Sequence, residues 1–238
     1  MVSGKRVVRV AHGYGNTLHA VERALAADND MIETDVWYRG GEVYVRHERR
    51  LGPFPLLGDR LMAGHVVGPL SIRIGKRYFV RPDVGRLRLH DLLDAVGGRR
   101  RLLLDVKGTY AAGEAGAFAQ ALAAQIRERE AVEMVAFCGQ TYSILHRLRE
   151  ITPEIEVRYS IERRHQWQTF LRLVDGDALV RRICIEHRFI DGDRARYVKE
   201  RGIDLYCWTV DDPAEARRLA DQGADGIISN NLTLLASL

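Results

Sequence analysis

The residues best suited to chemistry sit at the ends of short apolar runs. In "IETDV", Glu33 and Asp35 are two positions apart, so a strand points both carboxylates to one side and Ile32, Thr34 and Val36 to the other. Two carboxylates aimed together repel unless a cation lies between them. In "RLLLDVKG" the same parity aligns Asp105 with Lys107 after three leucines, a polar pair closing a buried run. The trio Glu33, Asp35 and Asp105 offers hard oxygen ligands, which suit Mg²⁺ or Ca²⁺ and do not suit zinc. His12 ends "RVVRVAH" and His47 ends "EVYVRH". Taken singly, an acidic residue at a strand end is ordinarily solvated or salt-bridged, and a histidine there is ordinarily a turn or core residue. Four ionisable groups with one parity on neighbouring apolar strands are harder to explain that way. Glu186 and His187 follow the run "RICI" within reach of the same strand ends. Trp208, in "YCWTV", reads as a core aromatic that could also wall a ligand pocket. His19, His65, His90, His146 and His165 fall in helical or loop contexts and read as structural.

These residues need elements that hold them together. Apolar runs at "RVVRVAH", "MIETDV", "EVYVRH", "RLLLDVK", "MVAFCG", "IEVRYSI", "RICIEH", "LYCWTV" and "DGIISN" are mostly separated by helix-like stretches, the pattern of βα units. Residues 114–130 carry apolar residues at helical spacing, and "DDPAEARRLADQGADG" opens on Asp212 and Pro213, a helix-start signal, and stops at Gly223. One pair breaks the alternation: "MIETDVWYRGGEVYVRHE" joins two runs through Gly40-Gly41, which predicts a tight hairpin whose second strand returns antiparallel. That turn also brings His47 back beside Glu33 and Asp35. Setting the extra strand aside leaves eight, the count of an α/β (β/α)8 TIM barrel, and 238 residues suffice for one. Barrel sites lie at the C-terminal strand ends, where all these candidates fall. We expect a single domain over 1–238, with residues 48–98, rich in Gly, Pro and Arg, as an inserted excursion over the barrel mouth that includes a small hairpin in "LSIRIGKRYFVRP".

The composition narrows the classes. The first residues lack a signal peptide's apolar region, and no stretch reaches about 20 uncharged apolar residues, so a soluble, cytoplasmic protein is expected. Cys138, Cys184 and Cys207 are odd in number, far apart and within apolar runs, which fits burial in strands and neither a disulfide framework nor a zinc knuckle. A net charge of +4 and a pI near 9.1 suit an anionic ligand. The basic residues are spread along the whole chain, so no nucleic-acid partner is expected.

The set "AHG…NT", "IETDV", "VYVRHE", "LLLDVKG" and "YCWTVDDPAEARRLADQGADGIISN" resembles the glycerophosphodiester phosphodiesterase family, whose members are phosphatidylinositol-phosphodiesterase-type barrels. The resemblance runs from residue 8 to residue 232. It implies hydrolysis of phosphodiesters such as glycerophosphocholine to glycerol 3-phosphate and an alcohol, with one divalent cation: Mg²⁺ first, Ca²⁺ or Mn²⁺ as alternatives. It places the histidine pair on His12 and His47, the metal carboxylates on Glu33, Asp35 and Asp105, and the site lysine on Lys107.

The departures are specific. The family arginine after the first histidine is Gly13 here, and the glutamate before the asparagine-threonine pair is Gly15, in a loop shortened around Tyr14. The second histidine is followed by Glu48 where the family has aspartate, and the third metal ligand is Asp105 where it has glutamate. Sphingomyelinase D-like phospholipases, relatives on the same barrel, also lack the arginine and use aspartate as third ligand. A lysophospholipase D or sphingomyelinase D-like enzyme forming a cyclic phosphate is therefore a second reading, with a lysophospholipid substrate and peripheral contact with an anionic bilayer through the arginine-rich excursion. A barrel that has lost turnover and binds a phosphorylated ligand is a third. No obligate protein partner is expected. Strand parity nominates Arg49, next but one to His47, as the guanidinium that replaces the missing arginine, and places Arg46 on the opposite face.

Overall fold

The structure, a computed structural model, describes residues 6–47, 58–59, 72–74, 78–80 and 87–238. In chain order the strands are β1 (Val8–Ala11), β2 (Met31–Arg39), β3 (Glu42–Val45), β4 (Gly58–Asp59), β5 (Ile72–Ile74), β6 (Tyr78–Val80), β7 (Leu87–Arg88), β8 (Arg101–Val106), β9 (Val135–Gly139), β10 (Glu156–Ile161), β11 (Arg182–Glu186), β12 (Asp204–Trp208) and β13 (Gly226–Ser229). The helices are α1 (Leu18–Ala26), α2 (Leu89–Val96), α3 (Ala112–Glu128), α4 (Tyr142–Ile151), α5 (Arg164–Gly176), α6 (Gly192–Glu200), α7 (Pro213–Asp221) and α8 (Leu232–Ala236).

Eight parallel strands close on themselves in the order β1, β2, β8, β9, β10, β11, β12, β13, with β13 returning to β1. This is the expected barrel. Alternation along each strand divides its residues between two environments. One parity lies under the helices in a continuous core that includes Ile32, Val36, Leu102, Leu104, Phe137 and Ile185. The other fills the interior with Val10, Met31, Leu103, Ala136, Cys138, Cys184, Tyr206 and Ile228. All three cysteines are buried in strands, as their apolar surroundings require. Gly226 belongs to this interior because a Cβ there would stand 2.6 Å from the Tyr206 ring.

β3 runs antiparallel to β2 through the Gly40-Gly41 turn, both glycines at positive φ (60° and 86°), which a two-residue hairpin of this hand demands. It pairs with Val36–Arg39, beyond the two residues that β1 occupies, so it extends β2 past the ring. β7 adds to its far side. Of the expected excursion the described parts are the small antiparallel sheet β4–β6–β5, which contains the anticipated hairpin, and residues 87–98, where α2 buries Leu89, Leu92, Leu93 and Val96. Glu48 and Arg49 lie outside the described residues. The helix starts follow local chemistry: Thr17 accepts from the Ala20 amide to cap α1, and Asp212 with Pro213 opens α7. Among the described residues no helix is long and apolar enough to cross a membrane.

Candidate active site

Register builds the site. Asp35 stands directly opposite Asp105 on β8, and Asp105 opposite Cys138 on β9, so these inward-facing side chains share one layer near the C-terminal strand ends. Glu33 lies one layer below Asp35 on the same strand. Oxygen atoms of Glu33, Asp35 and Asp105 all come within 4.8 Å of one another. Lys107 Nζ donates to Asp35 Oδ1 at 2.9 Å and also to Asp105. His47 reaches the trio from the hairpin, its Nδ1 3.1 Å from Asp35 Oδ2, and His12 places Nε2 3.9 Å from Glu33 Oε2. The sequence-predicted His12, Glu33, Asp35, His47, Asp105, Lys107 and Trp208 thus line one cavity of about 730 Å³, which continues past Gln140, Ser160 and Glu162 to Arg188.

The glycine loop after His12 buttresses the carboxylates. Gly13, at φ 71°, donates its amide to Glu33 Oε2 at 2.6 Å. A Cβ on Gly15 would sit 2.4 Å from Thr34 Cβ, so only glycine lets the loop lie this close to β2. Asn16 then donates to Asp35 Oδ2 at 2.8 Å and accepts from the Asp35 amide and the Thr34 hydroxyl, each at 3.0 Å. Tyr14 is buried between them.

Electrostatics separate the three acids. Burial pushes Glu33 well above the usual carboxylate range, and the charges of Asp35 and Asp105 push it further. Burial also raises Asp105, against the pull of Lys107. At Asp35 burial acts the same way, yet Lys107 and His47 outweigh it and hold the carboxyl well below its ordinary value. Lys107 shows the mirror effect: burial lowers it, but three surrounding carboxylates hold it well above the usual lysine value. His12 is pushed down to about 4, chiefly by burial.

A hard divalent cation fits this donor set. All three ligand groups are carboxylates, the excess charge is negative, and Asp105 Oδ1 is buried with no hydrogen-bond partner among the described residues. Parity along β13 also brings in Asn230, two past Ile228, which the sequence did not nominate. Arg188 reaches the cavity from the short 3-10 turn His187–Phe189 after β11, whereas Glu186 and His187 do not line it. Asp211 and Thr209 follow β12 and carry no parity signal.

Barrel and mouth together define an α/β-barrel enzyme whose acidic site is able to hold a hard cation. The sequence pattern of the glycerophosphoryl diester phosphodiesterase family matches residues 9–234, and the chain belongs to that family. It is accordingly a phosphoric diester hydrolase acting on glycerophosphodiesters. Solved structures share the fold. A glycerophosphodiester phosphodiesterase from Parabacteroides distasonis superposes with a TM-score of 0.74 at 15% identity, covering 99% of this chain and 97% of its own. A phosphodiesterase from Oleispira antarctica, solved with the product sn-glycerol-3-phosphate, gives 0.73 at 19% identity over 97% and 95%. The Thermotoga maritima glycerophosphodiester phosphodiesterase gives 0.69 at 19% over 98% of each chain. No curated protein matches the chain in sequence.

Proposed function

We propose that the chain cleaves glycerophosphodiesters of the glycerophosphocholine type to glycerol 3-phosphate and an alcohol. In this reading Glu33, Asp35 and Asp105 hold one divalent cation, Mg²⁺ ahead of Ca²⁺ or Mn²⁺, and His12 and His47 move the protons. The observation that carries the reading is the convergence of those three carboxylates, with a buried Asp105 oxygen that has no partner among the described residues, in a cavity large enough for such a substrate.

When bound, the cation supplies charge neutralisation at a phosphoryl oxygen. The rest is the chain's own work. Lys107 adds a second positive charge beside the phosphate, held in place by Asp35 and Asp105. Arg49 is the proposed guanidinium contact to the phosphate, on sequence grounds. His12, neutral near pH 7 because burial lowers its pKa, accepts a proton from the attacking water. His47 delivers one to the departing alkoxide, and the Asp35 carboxylate orients its ring through Nδ1. Trp208 walls the cavity from β12.

The test is hydrolysis of glycerophosphocholine and lysophosphatidylcholine side by side, before and after chelation. Activity on the first substrate that disappears with chelator and returns with Mg²⁺ is expected. Full activity after exhaustive chelation overturns the assignment, and turnover of the lysolipid alone transfers the site to the lysophospholipase D reading.

A further inference from the structure

We infer that Asp211 and Asn230 are positioning residues that fix the tautomer of His12, so that its Nε2 presents a lone pair to the cavity. The three residues follow the neighbouring strands β12, β13 and β1, and side-chain hydrogen bonds link them in a chain that can be satisfied in only one direction.

The direction is set at Asp211. Its carboxylate can only accept. It takes the Ser229 hydroxyl and the Asn230 backbone amide on Oδ1, both at 2.8 Å, and the Asn230 side chain on Oδ2, also at 2.8 Å. The Asn230 amide therefore turns its NH₂ towards Asp211, because the reversed amide would set its own oxygen against a carboxylate. With the NH₂ committed, Asn230 Oδ1 faces His12 Nδ1 at 3.2 Å, and a carbonyl oxygen also only accepts. Nδ1 must then carry the hydrogen. Thr209 Oγ1, 3.3 Å from the same nitrogen, is a hydroxyl and accepts there equally well. Tyr14 holds the loop in place by donating to the Asn230 backbone carbonyl at 3.1 Å. The remaining ring nitrogen, Nε2, is the one beside Glu33 at the cavity floor. A neutral imidazole with its hydrogen on Nε2 would have no lone pair to offer there, so the chain converts a carboxylate outside the cation site into a choice of proton acceptor inside it.

This inference rests on the proton-transfer role given to His12 above, but the tautomer is readable without turnover. Long-range ¹H–¹⁵N correlation spectra of the Mg²⁺-saturated full chain, labelled at histidine nitrogens, report which nitrogen is protonated, and His12→Gln identifies the signals. Wild-type protein should show His12 protonated at Nδ1 near neutral pH, whereas protonation at Nε2 overturns the inference whatever the activity. Asn230→Leu should mix the tautomers and lower kcat by about 10–100-fold with little change in KM, the usual cost of losing a partner that orients a site residue. The exchange Asp211→Asn with Asn230→Asp keeps every donor facing an acceptor, and should restore the Nδ1–H signature and most of kcat. If the double variant folds but is no better than Asn230→Leu in both readouts, the two residues are only structural. If wild-type protein has the expected tautomer while His12→Ala remains fully active, it is the catalytic role of His12 that fails.

Discussion

At the N-terminal end of the barrel, Arg158 on β10 is 2% exposed, its guanidinium 3.5 Å above the Tyr206 ring and 3.0 Å from Asp204 Oδ2. Glu156 lies between it and Arg101. Two cations thus meet two carboxylates, and the residues that start three strands close the floor. At the C-terminal end, the same inward parity gathers three carboxylates against one lysine, around a cavity of about 730 Å³. Both ends bury charge. The balanced end reads as structure, because its two cations and two carboxylates neutralise one another, although Arg158 Nε and Nη1 and Asp204 Oδ1 are buried without hydrogen-bond partners among the described residues. The unbalanced end beside open volume reads as a site waiting for external charge.

The comparison is broken most severely by changing the unbalanced end. Asp35 is the carboxylate that Lys107, His47 and Asn16 all address, so Asp35→Asn should lower kcat/KM by about 10³-fold or more, the several kcal/mol expected of an electrostatic centre for phosphoryl transfer. Steady-state kinetics with a parallel melting curve check that the loss is chemical. The histidines come next: His12→Ala and His47→Ala should each cost about 10²-fold or more in kcat, and the double variant should be little worse than the worse single. His146, whose ring lies tilted beside Tyr159 on the outer face of the barrel, should tolerate alanine with unchanged kinetics. Equal losses at all three positions would mean that folding was being measured.

The balanced end should respond in the opposite currency. Asp204→Ala leaves the buried Arg158 with one carboxylate partner fewer, at a cost of about 1–3 kcal/mol of folding stability. Because this network lies a full strand length from the cavity, kcat/KM should not change. Denaturant unfolding and steady-state kinetics on one preparation decide it, and a variant with normal stability and lost activity would erase the distinction between the two ends.

Much of this site was legible from strand parity. Once eight inward-facing registers exist, Glu33, Asp35, Asp105, Lys107 and Trp208 must point into one volume, and the same rule would have supplied Asn230 if applied past the end of β13, whereas Arg188 enters from a 3-10 turn that strand parity does not describe. The Gly40-Gly41 turn was equally readable, since two glycines between alternating runs demand a hairpin, and that hairpin delivers His47. The work of the loop Gly13–Asn16 was not legible. A sequence shows glycines where an arginine and a glutamate are common in relatives, but not that Gly15 is pressed against Thr34 or that Asn16 clamps Asp35, because both depend on contacts between β2 and a loop with no periodicity of its own. The tie from Asp211 to Asn230 was hidden for the same reason: it joins two loop positions nineteen residues apart.

The smallest effect is also the most direct reading of the imbalance. Glu33 keeps its proton well above the ordinary carboxylate value in the folded chain, chiefly because burial disfavours its charge. Over the window above about pH 4.5 the native state therefore binds more protons at Glu33 than the unfolded chain does, so this group's contribution to folding stability falls as pH rises. Asp105, raised in the same direction, adds to that slope. Asp35, held low, is ionised in both states throughout the window and contributes only below it. His12, lowered to about 4, works the other way up to about pH 6.5, a range in which only the unfolded ring holds a proton. Above that pH melting of the metal-free protein should decline, and Glu33→Gln should flatten the decline by removing one of the two raised carboxyls, a change of about 2–4 °C for each kcal/mol in a domain of this size. On the proposed assignment Mg²⁺ would bind the ionised trio and displace the protons, so its stabilising effect should grow over the same pH range in wild-type protein and less in the variant. A Mg²⁺-dependent gain independent of pH, or a Glu33→Gln profile as steep as wild type, would show that the carboxylates at the mouth are as well compensated as those at the floor.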